Sequence, residues 1–106
     1  MRRVGFILKV KEDLIEQYKQ RHEDVWPEML EALSRTGWHN YSLFMRRDGT
    51  LFGYFETPTS FGDALDGMSR EQVNDRWQQV VAPFFEGTGL QADQMMEELV
   101  EVFHLD

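Results

Sequence analysis

Residues 2 to 10 alternate, with Val4, Phe6, Leu8 and Val10 on one side and Arg3, Gly5, Ile7 and Lys9 on the other, which is the period of a half-buried strand. From Glu12 to about Arg35 the period changes. Leu14, Tyr18, Val25, Met29 and Leu33 recur at intervals of four or seven, the spacing of one helical face. Pro27 has no N–H to offer the carbonyl of Glu23, and its ring crowds that carbonyl, so a kink or restart is predicted near residues 24–27 with Asp24 capping the second piece.

Gly37 ends the helix, and Trp38 to Met45 is rich in aromatic and β-favouring residues, so it reads as a second strand. The Asp48-Gly49 pair suits a two-residue type I′ turn, after which LFGYFE resumes a strand. That turn would set Met45 opposite Phe52, Leu43 opposite Tyr54 and Tyr41 opposite Glu56 on one face, with Ser42, Phe44, Gly53 and Phe55 on the other. A short helix follows with Phe61, Ala64, Leu65 and Met68. Ser69-Arg70-Glu71-Gln72 has the form of a capping box for another, which would bury Val73, Trp77, Val80 or Val81, and Phe84. Residues 86–95 have two glycines and no period and read as a loop, and Leu99 to Leu105 alternates again as a last strand.

The order is β-α-β-β-α-β over a single domain, residues 1–106, which is the ferredoxin-like α+β pattern with helices on one face of a four-stranded antiparallel sheet. The opposite sheet face is then bare. Phe6, Phe44, Phe55 and Phe103 alternate suitably to populate it, so a homodimer with sheets packed face to face is expected; register leaves open that some of these rings point toward the helices.

Composition narrows the chemistry. Eleven Lys plus Arg against 19 Asp plus Glu give a formal charge of −8, which repels phosphate backbones and anionic lipid and makes nucleic-acid or membrane-surface binding unexpected. Neutral or cationic small molecules remain as ligands. There is no cysteine, so disulfides, thiolate metal sites and thiol nucleophiles are excluded. No segment reaches the length of a membrane span, the N-terminal apolar run is too short for a signal peptide, and a cytoplasmic protein is expected. The three histidines, His22, His39 and His104, lie on different predicted elements without HxxxH or HExxH spacing, so no metal site is expected.

Tyr18 and His22, at i and i+4, share the inward helical face with Leu14, Val25 and Met29. The ordinary role of such a histidine is structural. Here a tyrosine one turn away, flanking Arg21 and Glu23, and the proline break make the segment more polar than a packing helix needs, which suggests a pocket floor. Trp77 is either core or a flat wall for a sugar ring, with Asn74, Arg76 and Gln78 as polar neighbours. Tyr41 either closes the same cavity or is an ordinary cross-strand aromatic.

Five separated motifs carry a resemblance. Tyr18-Lys19-Gln20-Arg21-His22 followed by Trp26-Pro27-Glu28 resembles the Y-x-x-R-H-x-x-x-W-P-E signature of the L-rhamnose mutarotase family. Asn40-Tyr41-Ser42, Arg76-Trp77 and Glu101-Val102-Phe103-His104-Leu105 are similar to its later motifs, in the same order. The resemblance implies a dimeric α/β-barrel isomerase that interconverts the α and β anomers of L-rhamnose, or a related 6-deoxy aldose, without cofactor or metal. It maps the proton donor onto His22 and sugar-binding residues onto Tyr18, Tyr41 and Trp77. Some members carry a tryptophan pair; the second position here is Gln78, an amide that hydrogen-bonds where an indole stacks.

Mutarotation needs only an acid and a base near neutral pH, and histidine, with an ordinary pKa of about 6.5, can serve as either. The expectation is His22 as general acid to the ring oxygen, with water, a sugar hydroxyl or Tyr18 handling the other proton. The competing readings are a cofactor-independent monooxygenase or haem-binding dimeric barrel, since small ferredoxin-like dimers host both, and a non-catalytic sugar-binding module.

Overall fold

The computed structural model describes residues 1–85 and 95–106. Its elements are β1 (Arg2–Lys9), α1 (Ile15–Glu23), α2 (Pro27–Arg35), β2 (His39–Met45), β3 (Thr50–Thr57), α3 (Phe61–Ser69), α4 (Gln72–Val81) and β4 (Glu97–Leu99), with short 3₁₀ turns at Glu12–Leu14 and Ala82–Phe84. The strands form one antiparallel sheet in the order β2-β3-β1-β4, the ferredoxin-like arrangement. The loop read at residues 86–95 lies, but for Met95, outside the described residues.

Each helix boundary has a local cause. The long predicted helix is two helices, and Pro27 occupies the first position of α2, where its missing N–H costs nothing. Trp26, not Asp24, is the N-cap residue: its carbonyl accepts from Met29 N and Leu30 N, while Asp24 terminates α1. The Ser69 capping box is likewise absent. Ser69 closes α3 and its hydroxyl donates back to the Asp66 carbonyl, so α4 begins after Glu71 without a side-chain cap. Ser60 is the residue that caps by side chain, accepting from Asp63 N at 3.1 Å.

The β2–β3 hairpin differs from expectation by one residue. Met45 pairs with Leu51, Phe44 with Phe52 and Leu43 with Gly53. Gly49 N donates to Arg46 O at 3.0 Å and Arg46 N to Thr50 O at 2.8 Å, so the loop has three residues, Arg47-Asp48-Gly49. Gly49 takes a left-handed φ of +93° and Asp48 does not, which makes a type I turn closed by a glycine bulge instead of the type I′ turn, where both central residues need positive φ. A Cβ on Gly49 would also lie 2.2 Å from the Val10 carbonyl oxygen.

That shift decides which rings form the core. Leu51, Gly53 and Phe55 share the helix-facing side with Val4, Phe6 and Leu8, while Phe44, Phe52 and Tyr54 share the outer side with Gly5 and Ile7. Phe6 and Phe55 are therefore core residues, both 0% exposed, each contributing roughly 1.5–3 kcal/mol by burial. They correct the expectation that these two populate the bare face. Phe44, 62% exposed, does stand there, and Phe52 joins it.

The last strand is also shorter than expected. β4 pairs Leu99 with Gly5 and Glu97 with Ile7, and Val100 to Asp106 run on as exposed chain with Phe103 79% exposed. The Glu101 carboxylate accepts from the Arg3 guanidinium at 2.8 and 3.1 Å, aligning the tail with β1. After α4, Phe85 instead of Phe84 is the buried ring, because Phe85 bridges to Val10 and Lys11 N is held by the Phe84 carbonyl.

Among the described residues, no helix is long and apolar enough to cross a membrane.

Candidate functional site

A cavity of about 360 Å³ opens between the inner sheet face and helices α1, α2 and α4, within the range of small-molecule pockets, roughly 300–1,000 Å³. Tyr18 and His22 line it from α1, Trp38 and Tyr41 from the start of β2, and Asn74, Trp77 and Gln78 from α4. The four residues singled out from sequence, His22, Tyr18, Tyr41 and Trp77, are thus brought together.

The i, i+4 spacing on α1 stacks the Tyr18 and His22 rings with centroids 4.2 Å apart and 30° between planes. Trp77 meets the His22 ring edge to face at 5.5 Å, and Trp26 meets Trp77 at 5.1 Å. The imidazole is held between two aromatic side chains. Nδ1 of His22 lies 3.0 Å from the Tyr18 carbonyl oxygen. A carbonyl only accepts, so Nδ1 carries the hydrogen and Nε2 holds the lone pair. Burial pulls the His22 pKa below its ordinary value, and the bond to the Tyr18 carbonyl opposes this without cancelling it. The ring is therefore mainly neutral at pH 7. Burial pushes the hydroxyls of Tyr18 and Tyr41 well above the usual phenol range, so both stay protonated and act as hydrogen-bonding groups.

Two amides complete the wall. Asn74 and Gln78 are 1% and 6% exposed on a helix face otherwise made of Val73, Trp77 and Val81. Sequence reading placed them merely beside Trp77, but 73, 74, 77, 78 and 81 form one helical stripe, and two amides within it were the available signal. Arg76 turns away, its guanidinium donating to Glu28 at 3.0 Å on the surface. Trp38 was also missed. Its indole stacks on Phe55 at 4.1 Å and donates to the Ala64 carbonyl at 3.2 Å. His39 is on β2 opposite Glu56, and His104 lies in the exposed tail beside Asp106, both away from the cavity.

No described residue lining the cavity is an Asp, Glu, Lys or Arg. Hydroxyls, amides, aromatic faces and one neutral imidazole suit an uncharged, hydroxylated molecule and a proton transfer upon it. Fold and cavity together define a ferredoxin-like α+β protein in which one histidine stands among the hydroxyls, amides and aromatic rings of a cavity of small-molecule size.

The L-rhamnose mutarotase family model matches residues 3–105, and the chain belongs to that family. The L-rhamnose mutarotase of Bacillus subtilis is 39% identical over 107 aligned residues, and that of Oceanobacillus iheyensis 35% over 107, each match covering 100% of both chains. The crystal structure of L-rhamnose mutarotase from Formosa agariphila shares the fold, with a TM-score of 0.80 over 100% of both chains at 23% identity.

Proposed function

We propose that this protein interconverts the α and β anomers of L-rhamnopyranose or a related 6-deoxy aldose, as a cytoplasmic homodimer that uses neither metal nor cofactor. The observation that carries this reading is the neutral His22 ring, fixed in one tautomer on the wall of a cavity whose described lining carries no Asp, Glu, Lys or Arg.

Mutarotation moves one proton from the anomeric hydroxyl to the ring oxygen as the bond between the anomeric carbon and that oxygen breaks. The two oxygens share the anomeric carbon, so one nitrogen can serve both. His22 starts neutral, so Nε2 first takes the anomeric proton and the resulting imidazolium then gives it to the ring oxygen, leaving the open aldehyde. Rotation about the bond between the first two carbons exposes the other carbonyl face, and the reverse transfers close the second anomer. The general-acid role expected from sequence becomes the second half of a shuttle. Tyr18, whose hydroxyl stays protonated, supports the sugar by hydrogen bonding instead of carrying the proton. Tyr41 offers another hydroxyl and Trp77 an aromatic face for the C–H side of the ring.

Positioned proton transfer supplies roughly 10²–10⁴-fold. His22→Ala is expected to lose most of the catalysed exchange of rhamnose anomers, read by saturation-transfer NMR, with the circular dichroism spectrum unchanged. Exchange at the wild-type rate in that variant removes His22 from the mechanism. The dimer reading rests on Phe44 and Phe52 standing exposed on the outer sheet face. Sedimentation should give a species of twice the chain mass, and Phe44→Glu should shift it to monomer.

A further inference from the structure

Successive side chains of a strand point to opposite faces, so Trp38 and Tyr41, three residues apart, belong on opposite sides of the sheet. Both line the cavity, with ring centroids 5.2 Å apart. One extra residue resolves the conflict. His39 pairs with Glu56 but Ser42 pairs with Tyr54, so Asn40 and Tyr41 together oppose the single residue Phe55. This is a β-bulge, and Asn40 occupies its left-handed position with φ of +50°, the sole non-glycine at positive φ among the described residues. Asparagine adopts that conformation far more readily than a branched residue does.

Two fixed points make the bulge necessary. Trp38 is held in the core by its stack on Phe55 and its bond to Ala64, while the turn at Arg47–Gly49 sets the register from Ser42 to Met45. A straight strand satisfies one anchor alone. Keeping the hairpin register would turn Trp38 outward, and keeping Trp38 inward would turn Tyr41 outward. Asn40 is also tied from the far side of the sheet. Its amide donates to Glu56 Oε2 at 3.3 Å, and the same oxygen accepts from the Tyr54 hydroxyl at 2.7 Å.

We infer that Asn40 is a positioning residue: the bulge it forms through its left-handed backbone is what allows Trp38 and Tyr41 to stand side by side as one wall of the sugar site. The sugar-contacting role of that wall rests on the function proposed above. The placement of the two rings does not.

Asn40→Val disfavours positive φ and Asn40→Gly permits it. In the folded protein, Asn40→Val is expected to lose the nuclear Overhauser contacts between the Trp38 and Tyr41 rings and to raise KM for rhamnose by about tenfold or more, with a smaller change in kcat because His22 sits on another element. Asn40→Gly keeps the ring contacts and holds KM within about threefold of wild type. Adding Tyr41→Phe should matter in the wild-type background and not in Asn40→Val. Ring contacts and KM unchanged in Asn40→Val, or equal damage from Asn40→Gly, overturn the proposal. Should Asn40→Val fail to fold, Asn40→Ala takes its place, with partial loss of both signals expected and no loss overturning it. A wild-type protein that exchanges no anomers defeats the functional reading, while the ring contacts still decide the role of Asn40.

Discussion

Gln78 donates an amide hydrogen to Oδ1 of Asn74 at 3.1 Å, and Asn74 in turn donates to the Met68 carbonyl at 3.2 Å. The bond to Met68, at the C-terminal end of α3, fixes which end of the Asn74 amide faces Gln78, so the orientation passes along α4 to the cavity wall. Asn74 makes both of these bonds, and at roughly 0.5–1.5 kcal/mol net for each, the two together are worth about 1–3 kcal/mol. Asn74→Ala is therefore expected to destabilise the fold by that amount, read from the urea midpoint at constant slope. It should also lower kcat/KM for the sugar by about fivefold to tenfold, because Gln78 loses its bond to Asn74. Unchanged stability and unchanged kinetics together would deny the relay.

The pH dependence follows from His22. Its folded pKa lies below that of the unfolded chain, so between the two values the unfolded state binds more protons and stability rises with pH. The contribution is complete above about pH 6.5 and is lost as pH falls through the folded value. Compared with His22→Gln, which cannot titrate, wild-type stability should decline from pH 8 to pH 5. Catalysis that begins with neutral Nε2 has the same acid limb: kcat/KM should climb with pH and level off by about 6.5. An optimum on the acid side, where the imidazolium dominates, would reverse the order of the two proton transfers.

Gly53 has a steric reason for being glycine. A Cβ there would stand 2.2 Å from Cζ of Phe6. The Phe6 ring has no room to withdraw, being packed against Trp38, Tyr41, Phe55 and Phe61 with centroids 5.7–6.3 Å away. Gly53→Ala is expected to cost about 3 kcal/mol by overpacking, seen as a lower denaturation midpoint. Since Tyr41 touches the same ring, sugar affinity should fall with it, whereas Gly62→Ala, where Ser60 Oγ at 3.9 Å is the nearest neighbour, should leave both intact.

Period alone revealed much of this molecule. The alternation of Val4, Phe6, Leu8 and Val10 marked β1 but left Phe6 assigned to the wrong side of the sheet, whereas Tyr18 and His22 declared a shared helical face by their spacing. What escaped is where one residue departs from period. Arg47 entering the hairpin loop moved Phe55 from the outer face to the core, and no local preference distinguishes a two-residue from a three-residue loop around Asp-Gly with certainty. The bulge at Asn40 hid Trp38 from the cavity for the same reason. Asn74 and Gln78 were read as polar neighbours of Trp77 but not as members of its buried stripe, because a stripe is read by its apolar members. The final strand was overextended because alternation from Leu99 to Leu105 marks only a capacity to pair; the ladder with β1 stops at the pair Gly5 and Leu99 although β1 itself runs on to Arg2.

The uncharged character of the described cavity lining separates capture of a neutral ligand from the electrostatics of the surface. Eight net negative charges surround the protein, yet the described lining contributes none of them. A neutral sugar gains nothing from long-range steering and meets no field to be screened, so ionic strength has little hold on its uptake. The acidic exterior is then free to repel polyanions such as nucleic acid with no consequence for what enters the cavity.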